Sequence, residues 1–264
     1  MAESTKNARQ KAAQARAEQL AAEKRRERMI RIIGAVVVVL VVGAIIGGAL
    51  YFSNKDSGGD GPNPSAALPT GVQSSTYGYP VNPTEAAGVP NVQIWEDFQC
   101  PGCAQYEKSS AAAIDAEAKA GRMNVLLRPA TFLDDNFGND ASAQATSAWG
   151  CAINAGKSLE YHSAVFAMQP QQEGVGFTQQ QLLDAGKQVG ITGDALTTFD
   201  SCVKAETFLG WASNSQAEFG KSDAKGTPAI FVNGKELENK VLPDKTGLYT
   251  NPTELIKAIN AAAK

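Results

Sequence analysis

The sequence predicts an α/β domain with an inserted helical segment, preceded by one membrane-spanning helix. Three observations carry this. Two β-runs lie far apart: Val92–Trp95, which leads into Cys100-Pro101-Gly102-Cys103, and Ala229–Val232, which follows Gly226-Thr227-Pro228. Residues 139–220, between them, read as helix throughout. Upstream, Ile32–Phe52 contains no charged residue.

Residues 1–31 hold nine Lys/Arg against four Glu, a net +5, which leaves −8 for the rest of a chain whose total is −3. The uncharged run 32–52 has 21 residues, enough at 1.5 Å each to span a hydrocarbon core of about 30 Å. Positive charge stays on the cytoplasmic side, so the basic arm is expected inside and the C-terminal domain outside. A cleavable signal peptide would have a shorter apolar core and a small-residue cleavage site, and neither is found here. The expected location is therefore the cell membrane, single-pass, with contact to the lipid bilayer. Residues 53–90 read as an extracytoplasmic linker: Ser57–Pro64 is rich in Gly, Pro and Asp, and prolines recur at 69, 80, 83 and 90. Part of it, near 72–81, is compatible with an edge strand.

The domain is expected over 91–264. Residues 91–129 form a βαβ unit, with a strand at Val92–Trp95, a helix from Ala104 to Ala120 and a parallel strand at Met123–Arg128. Within the helical insertion, Ala141, Ala145, Ala148 and Ala152 make a small-residue stripe. Leu159, His162, Val165 and Phe166 form the next apolar face, and Thr178–Gln181 is a capping box. Asn233-Gly234 marks a hairpin, and Asn251-Pro252-Thr253-Glu254 opens the last helix.

The chemistry concentrates where the first strand hands over to its helix. Cys100 sits at that helix N-terminus, where unpaired N–H groups and the helix dipole favour a thiolate. Pro101 suits the first helical turn. Glu96 and Asp97 are nearby acids that can handle protons, or can simply end a strand. Four cysteines, all in the exported part, allow three pairings, and the spacing nominates Cys100–Cys103 and Cys151–Cys202. The second pair links two helices of the insertion and reads as a structural disulfide. A zinc site would need Cys151 and Cys202 as ligands, yet they lack a second C-x-x-C or C-x-x-H spacing, so no metal is expected. His162, the sole histidine, reads as a core residue with a satisfied ring nitrogen. No nucleophile elbow or Gly-rich phosphate loop occurs, and the scattered cations of the domain offer no nucleic-acid face.

The segment Asp97-Phe98-Gln99-Cys100-Pro101-Gly102-Cys103, together with Gly226-Thr227-Pro228 before a strand, resembles the thioredoxin superfamily and, within it, the DsbA-like thiol oxidoreductases. That resemblance covers roughly 91–264 and implies a thioredoxin-like fold with its helical insertion. It implies Cys100 as nucleophile and Cys103 as resolving thiol, with no cofactor beyond the redox-active Cys100–Cys103 disulfide. It also implies a cis Thr227–Pro228 bond facing Cys100, with the Thr227 backbone free to pair with substrate. The implied partners are unfolded exported proteins and a membrane redox partner of the DsbB or VKOR kind. Two residues depart from the most oxidising members: Gly102 stands in place of a histidine, and Ile94 in place of a buried acid six residues before Cys100. A membrane-tethered reductase or isomerase, and a non-catalytic peptide-binding module, are the alternative readings.

Overall fold

The computed structural model describes Asn63 and residues 65–82 and 84–264. The basic arm, the apolar run 32–52 and the start of the linker lie outside these residues. Among the described residues no helix is long and apolar enough to cross a membrane.

Five strands form one sheet in the order β1-β3-β2-β4-β5. They are β1 (Tyr79–Pro80), β2 (Asn91–Glu96), β3 (Asn124–Pro129), β4 (Ala229–Val232) and β5 (Lys235–Glu236). β2 and β3 run parallel, with Asn91 opposite Asn124 and Glu96 opposite Pro129, while β4 lies antiparallel to β2. The crossover between β2 and β3 is one helical run made of α1 (Pro101–Tyr106), a π-turn (Glu107–Ala111) and α2 (Ala112–Lys119).

Strand alternation sorts β2 by face. Val92, Ile94 and Glu96 point one way; Val92 and Ile94 enter the main core with Ile114, Ala118 and the C-terminal helix residues Leu255 and Ile259. Trp95 points the other way and joins Ala229, Phe231 and Phe219 in a second, smaller core. The C-terminal helix α9 (Pro252–Ala262) is capped by the Asn251 side chain, which accepts from Glu254 N at 3.2 Å.

The insertion supplies α3 (Phe132–Phe137), α4 (Ala141–Asn154), α5 (Ser158–Ala167), α6 (Gln179–Gln188), α7 (Gly193–Lys204) and α8 (Leu209–Phe219). Ala141, Ala145, Ala148 and Ala152 are all buried on α4. At Thr178 the reciprocal capping box is present, with Gln181 N donating to Thr178 Oγ1 and Thr178 N to Gln181 Oε1.

The linker expected to run to Pro90 ends well before it, and the folded unit begins upstream of residue 91. Asn63 and Asn214 exchange two hydrogen bonds, of 2.7 and 2.8 Å, and Trp211 Nε1 donates to Tyr77 O at 2.8 Å. Pro69, Tyr77 and Val81 are buried. Gly150 makes room for this strap, since a Cβ there would stand 2.9 Å from Pro69 Cγ and 2.7 Å from Phe208 Cδ2. The proline-rich composition stiffens a segment that wraps the insertion instead of swinging free.

Cys151 and Cys202 are joined by a disulfide that ties α4 to α7 across a sequence separation of 51. Closing a loop of that length constrains the unfolded chain by about 4 kcal/mol. The double variant Cys151→Ser/Cys202→Ser is expected to melt roughly 8–16 °C lower in calorimetry. It should still react at Cys100 with small disulfides below its melting point. A variant that stays folded but loses that reactivity would make the bridge part of the redox machinery.

Candidate active site

β2 ends at Glu96, and the next four residues turn the chain onto α1. Asp97 organises this junction from inside. Its Oδ1 accepts from Gln99 N at 2.9 Å and Ser142 Oγ at 2.5 Å, and its Oδ2 from Leu133 N at 3.1 Å. The Gln99 amide reaches Asp134, Asn139 and Ser142, so the junction is pinned to α3 and α4. From the far side, Gln169 Nε2 donates to Phe98 O at 2.8 Å and Cys100 O at 3.0 Å. Burial pushes the Asp97 carboxyl up to about 7 against these donors. Asp97 is thus a structural hub; its charge is not among the causes that shift either thiol.

Cys100 stands in the N-cap position of α1 with Pro101 behind it. It is 9% exposed, whereas Cys103 is fully enclosed. The two thiols are driven apart in acidity. Cys100 is lowered to about 6, first by the Cys103 thiol donating toward its sulfur and further by Thr227 and the backbone N–H groups of Cys103 and Gly102, with burial opposing. Cys103 is held well above the ordinary thiol range, first by burial and then by its role as donor to Cys100. One sulfur is therefore a thiolate at neutral pH and the other a thiol.

The Thr227–Pro228 peptide is cis, and Thr227 O lies 3.2 Å from Cys100 Sγ. Gly102 borders the third side of this slot: a Cβ there would meet Pro228 Cδ at 3.3 Å and Cys100 Sγ at 3.6 Å. The absent side chain at 102 leaves the slot open between the reactive sulfur and the proline.

Glu96 is where the site departs most from what its sequence suggests. The residue is 3% exposed, and neither carboxylate oxygen has a hydrogen-bond partner. Its pKa is raised well above the usual range, first by burial and then by Glu107, Asp115 and Cys100. Ile94 leaves the acid position six before Cys100 empty, but residues 94 and 96 share a face of the strand. The acid has moved one pleat toward the carboxyl end of β2.

His162 is buried as expected, but its neighbours are carboxylates: Nε2 lies 3.8 Å from Glu96 Oε2 and Nδ1 3.4 Å from Glu107 Oε1. Glu96, Glu107 and His162 are the three metal-type donors that come within 4.8 Å of one another among the described residues. The two acids meet different nitrogens of the ring. Sequence reading missed Gln99, Gln169 and Glu107. Only Glu107 left a trace, one acid seven residues after Cys100 on a helix otherwise rich in Ala and Ser.

A family model for thioredoxin matches residues 84–247. No curated protein sequence matches the chain. Among solved structures, MdbA, a thiol-disulfide oxidoreductase from Actinomyces oris, superposes with a TM-score of 0.58 at 20% identity, covering 76% of this chain and 96% of that one. BdbD from Bacillus subtilis gives 0.56 at 17% identity, covering 75% and 97%. Reduced DsbA from Mycobacterium tuberculosis gives 0.52 at 20%, covering 70% and 97%. At these identities the likeness is one of fold. The family model spans well over half of the chain and takes in both the C-x-x-C helix and the cis-proline strand, so the chain belongs to the thioredoxin family.

Proposed function

We propose that this chain is an extracytoplasmic thiol–disulfide oxidoreductase that introduces disulfides into exported proteins through Cys100 and Cys103. The observation that carries the reading is the split acidity of the pair: the Cys100 sulfur at the helix N-cap titrating near 6 beside an enclosed one held high. In the oxidised enzyme a substrate thiolate attacks Cys100 Sγ. The Cys100–Cys103 bond breaks, and its electron pair goes to Cys103 Sγ, which takes up a proton. The second substrate thiol then loses its proton and attacks the mixed disulfide, leaving as a disulfide and expelling Cys100 as a thiolate. A low Cys100 pKa makes that departure easy and stabilises the reduced enzyme, which favours donating the disulfide over accepting one.

Thr227 and Pro228 flank the slot in which an extended substrate segment would lie against Cys100. Glu96, whose charge helps to raise Cys103, is the proton partner of the enclosed sulfur. The redox-active disulfide serves as the sole cofactor. The basic arm and the uncharged run 32–52 support a single-pass anchor with the catalytic domain outside. A membrane partner of the DsbB or VKOR kind would return the enzyme to its oxidised form.

The test pairs a dithiol peptide with the Cys103→Ser variant. The wild-type chain should convert the peptide to its disulfide, and Cys103→Ser should accumulate mixed disulfides at Cys100. A reductase is the second reading, favoured by the absence of a side chain at Gly102. A reduction potential near about −120 mV supports the oxidase, and one near about −270 mV the reductase. Failure to turn over the peptide in either direction would leave only a binding module.

A further inference from the structure

At the end of β2, where Glu96 is among the charges that raise Cys103, lies a row of buried acid and imidazole groups. A buried carboxylate with two unpartnered oxygens is costly unless something compensates it. Glu96 has no donor aimed at it, but it has an imidazole at 3.8 Å. The opposite nitrogen of that ring faces Glu107 at 3.4 Å. Glu107 Oε2 in turn accepts from Ser163 Oγ at 3.0 Å, and Ser163 is exposed. The sequence Glu96, His162, Glu107, Ser163 thus runs from the buried end of β2 to the surface.

The surroundings confine protons to this row. The rings of Trp149, Phe98 and Phe166 lie 4.6, 5.1 and 5.1 Å from the His162 ring and fence it with apolar surface. Other titratable groups face the row from each packed element. Cys100, Cys103 and Tyr106 belong to the active-site turn and α1; Asp115 and Lys119 come from α2. Asp115, pushed up to about 6 by burial and by Glu107, adds acid near the outer end. The helix widens to a π-turn where Glu107 enters, a distortion that recurs at functional sites.

We propose that His162 passes protons between Glu96 and Glu107, so that these three residues connect the enclosed Cys103 sulfur to solvent. The inference rests on the exchange reading of the Cys100–Cys103 pair. When that disulfide is broken at Cys100, Cys103 leaves as a thiolate and takes the proton of Glu96. Glu96 recovers one from Nε2 of His162 while Nδ1 takes one from Glu107, and Glu107 recovers its proton from water beside Ser163. One proton enters and one S–H bond forms; both carboxyls end as they began, while His162 ends with its proton on Nδ1 instead of Nε2, and reoxidation runs the row backwards and restores it. The Nε2–Oε2 gap has to shorten by about 1 Å for transfer. Imidazole suits the middle position because it can accept at one nitrogen and release at the other near neutral pH.

The experiment follows reduction of the oxidised full-length protein by dithiothreitol and its reoxidation by glutathione disulfide, between pH 5 and 8. These small probes work whether or not exported proteins are the true substrates. His162→Gln, which fills the space but cannot relay, should slow both directions about 100-fold, the lower end of what positioned acid–base groups supply. It should also flatten the pH profile and remove the slowing in D2O that proton transfer along the row would give the wild-type protein. His162→Ala should recover rate with added imidazole. Should His162→Gln not fold, Glu107→Gln at the outer end carries the same expectation. Unchanged rates, or equal losses in the Gln and Ala variants with no imidazole rescue, would make His162 core packing only. Stoichiometric zinc binding by a Cys100→Ser/Cys103→Ser chain, lost with His162→Gln, would make the cluster a cation site and also overturn the relay. A working relay in a chain that turns over no peptide would instead overturn the oxidoreductase reading alone.

Discussion

Iodoacetamide should alkylate the reduced protein at Cys100 with a half-maximal rate near pH 6, while Cys103 stays unmodified until the chain unfolds. At pH 7 a thiol titrating near 6 is about 90% thiolate, against a few per cent for a free thiol near 8.5. The same asymmetry sets a stability difference. Cys100 is lowered from 9.0 to about 6 in the folded reduced protein. Its contribution is fully present above the unfolded value and is lost as pH falls through about 6. The whole contribution corresponds to about 4 kcal/mol. It exists only in the reduced form, because a disulfide-bonded sulfur does not titrate. The raised pKa of Glu96 acts on both redox forms and largely cancels between them. Melting curves of the reduced and oxidised protein, recorded from pH 5 to 8, should therefore separate with rising pH in favour of the reduced form. A separation of the order of 10 °C is expected for a domain of this size. Parallel curves across that range, or alkylation that rises only near pH 8.5, would remove the activated nucleophile and with it the argument for an oxidase.

Much of this site was legible because its parts are local. A strand, a C-x-x-C and a helix in immediate succession leave one place for the nucleophile, and Asn233-Gly234 fixes the hairpin after Pro228. The Thr178–Gln181 capping box is likewise a four-residue signal that survives folding. What escaped depends on partners far away in sequence. Pro69 and Tyr77 look like tether residues until Gly150 and Trp211 are brought against them. Gln169 gives no local sign that its amide clamps Phe98 O and Cys100 O, 71 and 69 residues away. Glu96 and His162 fall between these cases. Strand alternation alone puts residue 96 on the face of residue 94, so the shifted acid was within reach of pattern reading. That His162 lies beside it required the insertion to fold back on the active-site helix.

Replacing Asp97 is expected to cost more stability than any other change at the junction that spares the cysteines. Asp97→Ala leaves three buried donors, Gln99 N, Leu133 N and Ser142 Oγ, without their acceptor. At about 1–3 kcal/mol for each unsatisfied group, with partial relief from water, the loss should be about 3–5 kcal/mol. That corresponds to a melting temperature lower by roughly 10 °C. Asp97→Asn should rescue little, because its amide N–H₂ would face one of those donors whichever way it turned. The gap between wild type and Asp97→Asn should also depend on pH. Burial raises the Asp97 carboxyl from 3.8 to about 7, so its contribution is full below about 3.8 and is lost as pH rises through about 7. The two melting curves should therefore lie further apart at pH 5 than at pH 8. Cys100 should keep its low alkylation midpoint in whatever fraction stays folded, because the groups that lower it are Cys103, Thr227 and the first N–H groups of α1. A variant that melts within about 2 °C of wild type would show that water replaces the carboxylate and that Asp97 is not the hub of the junction. One that folds but alkylates only near pH 8.5 would place Asp97 in the electrostatics of the thiol, contrary to its position here.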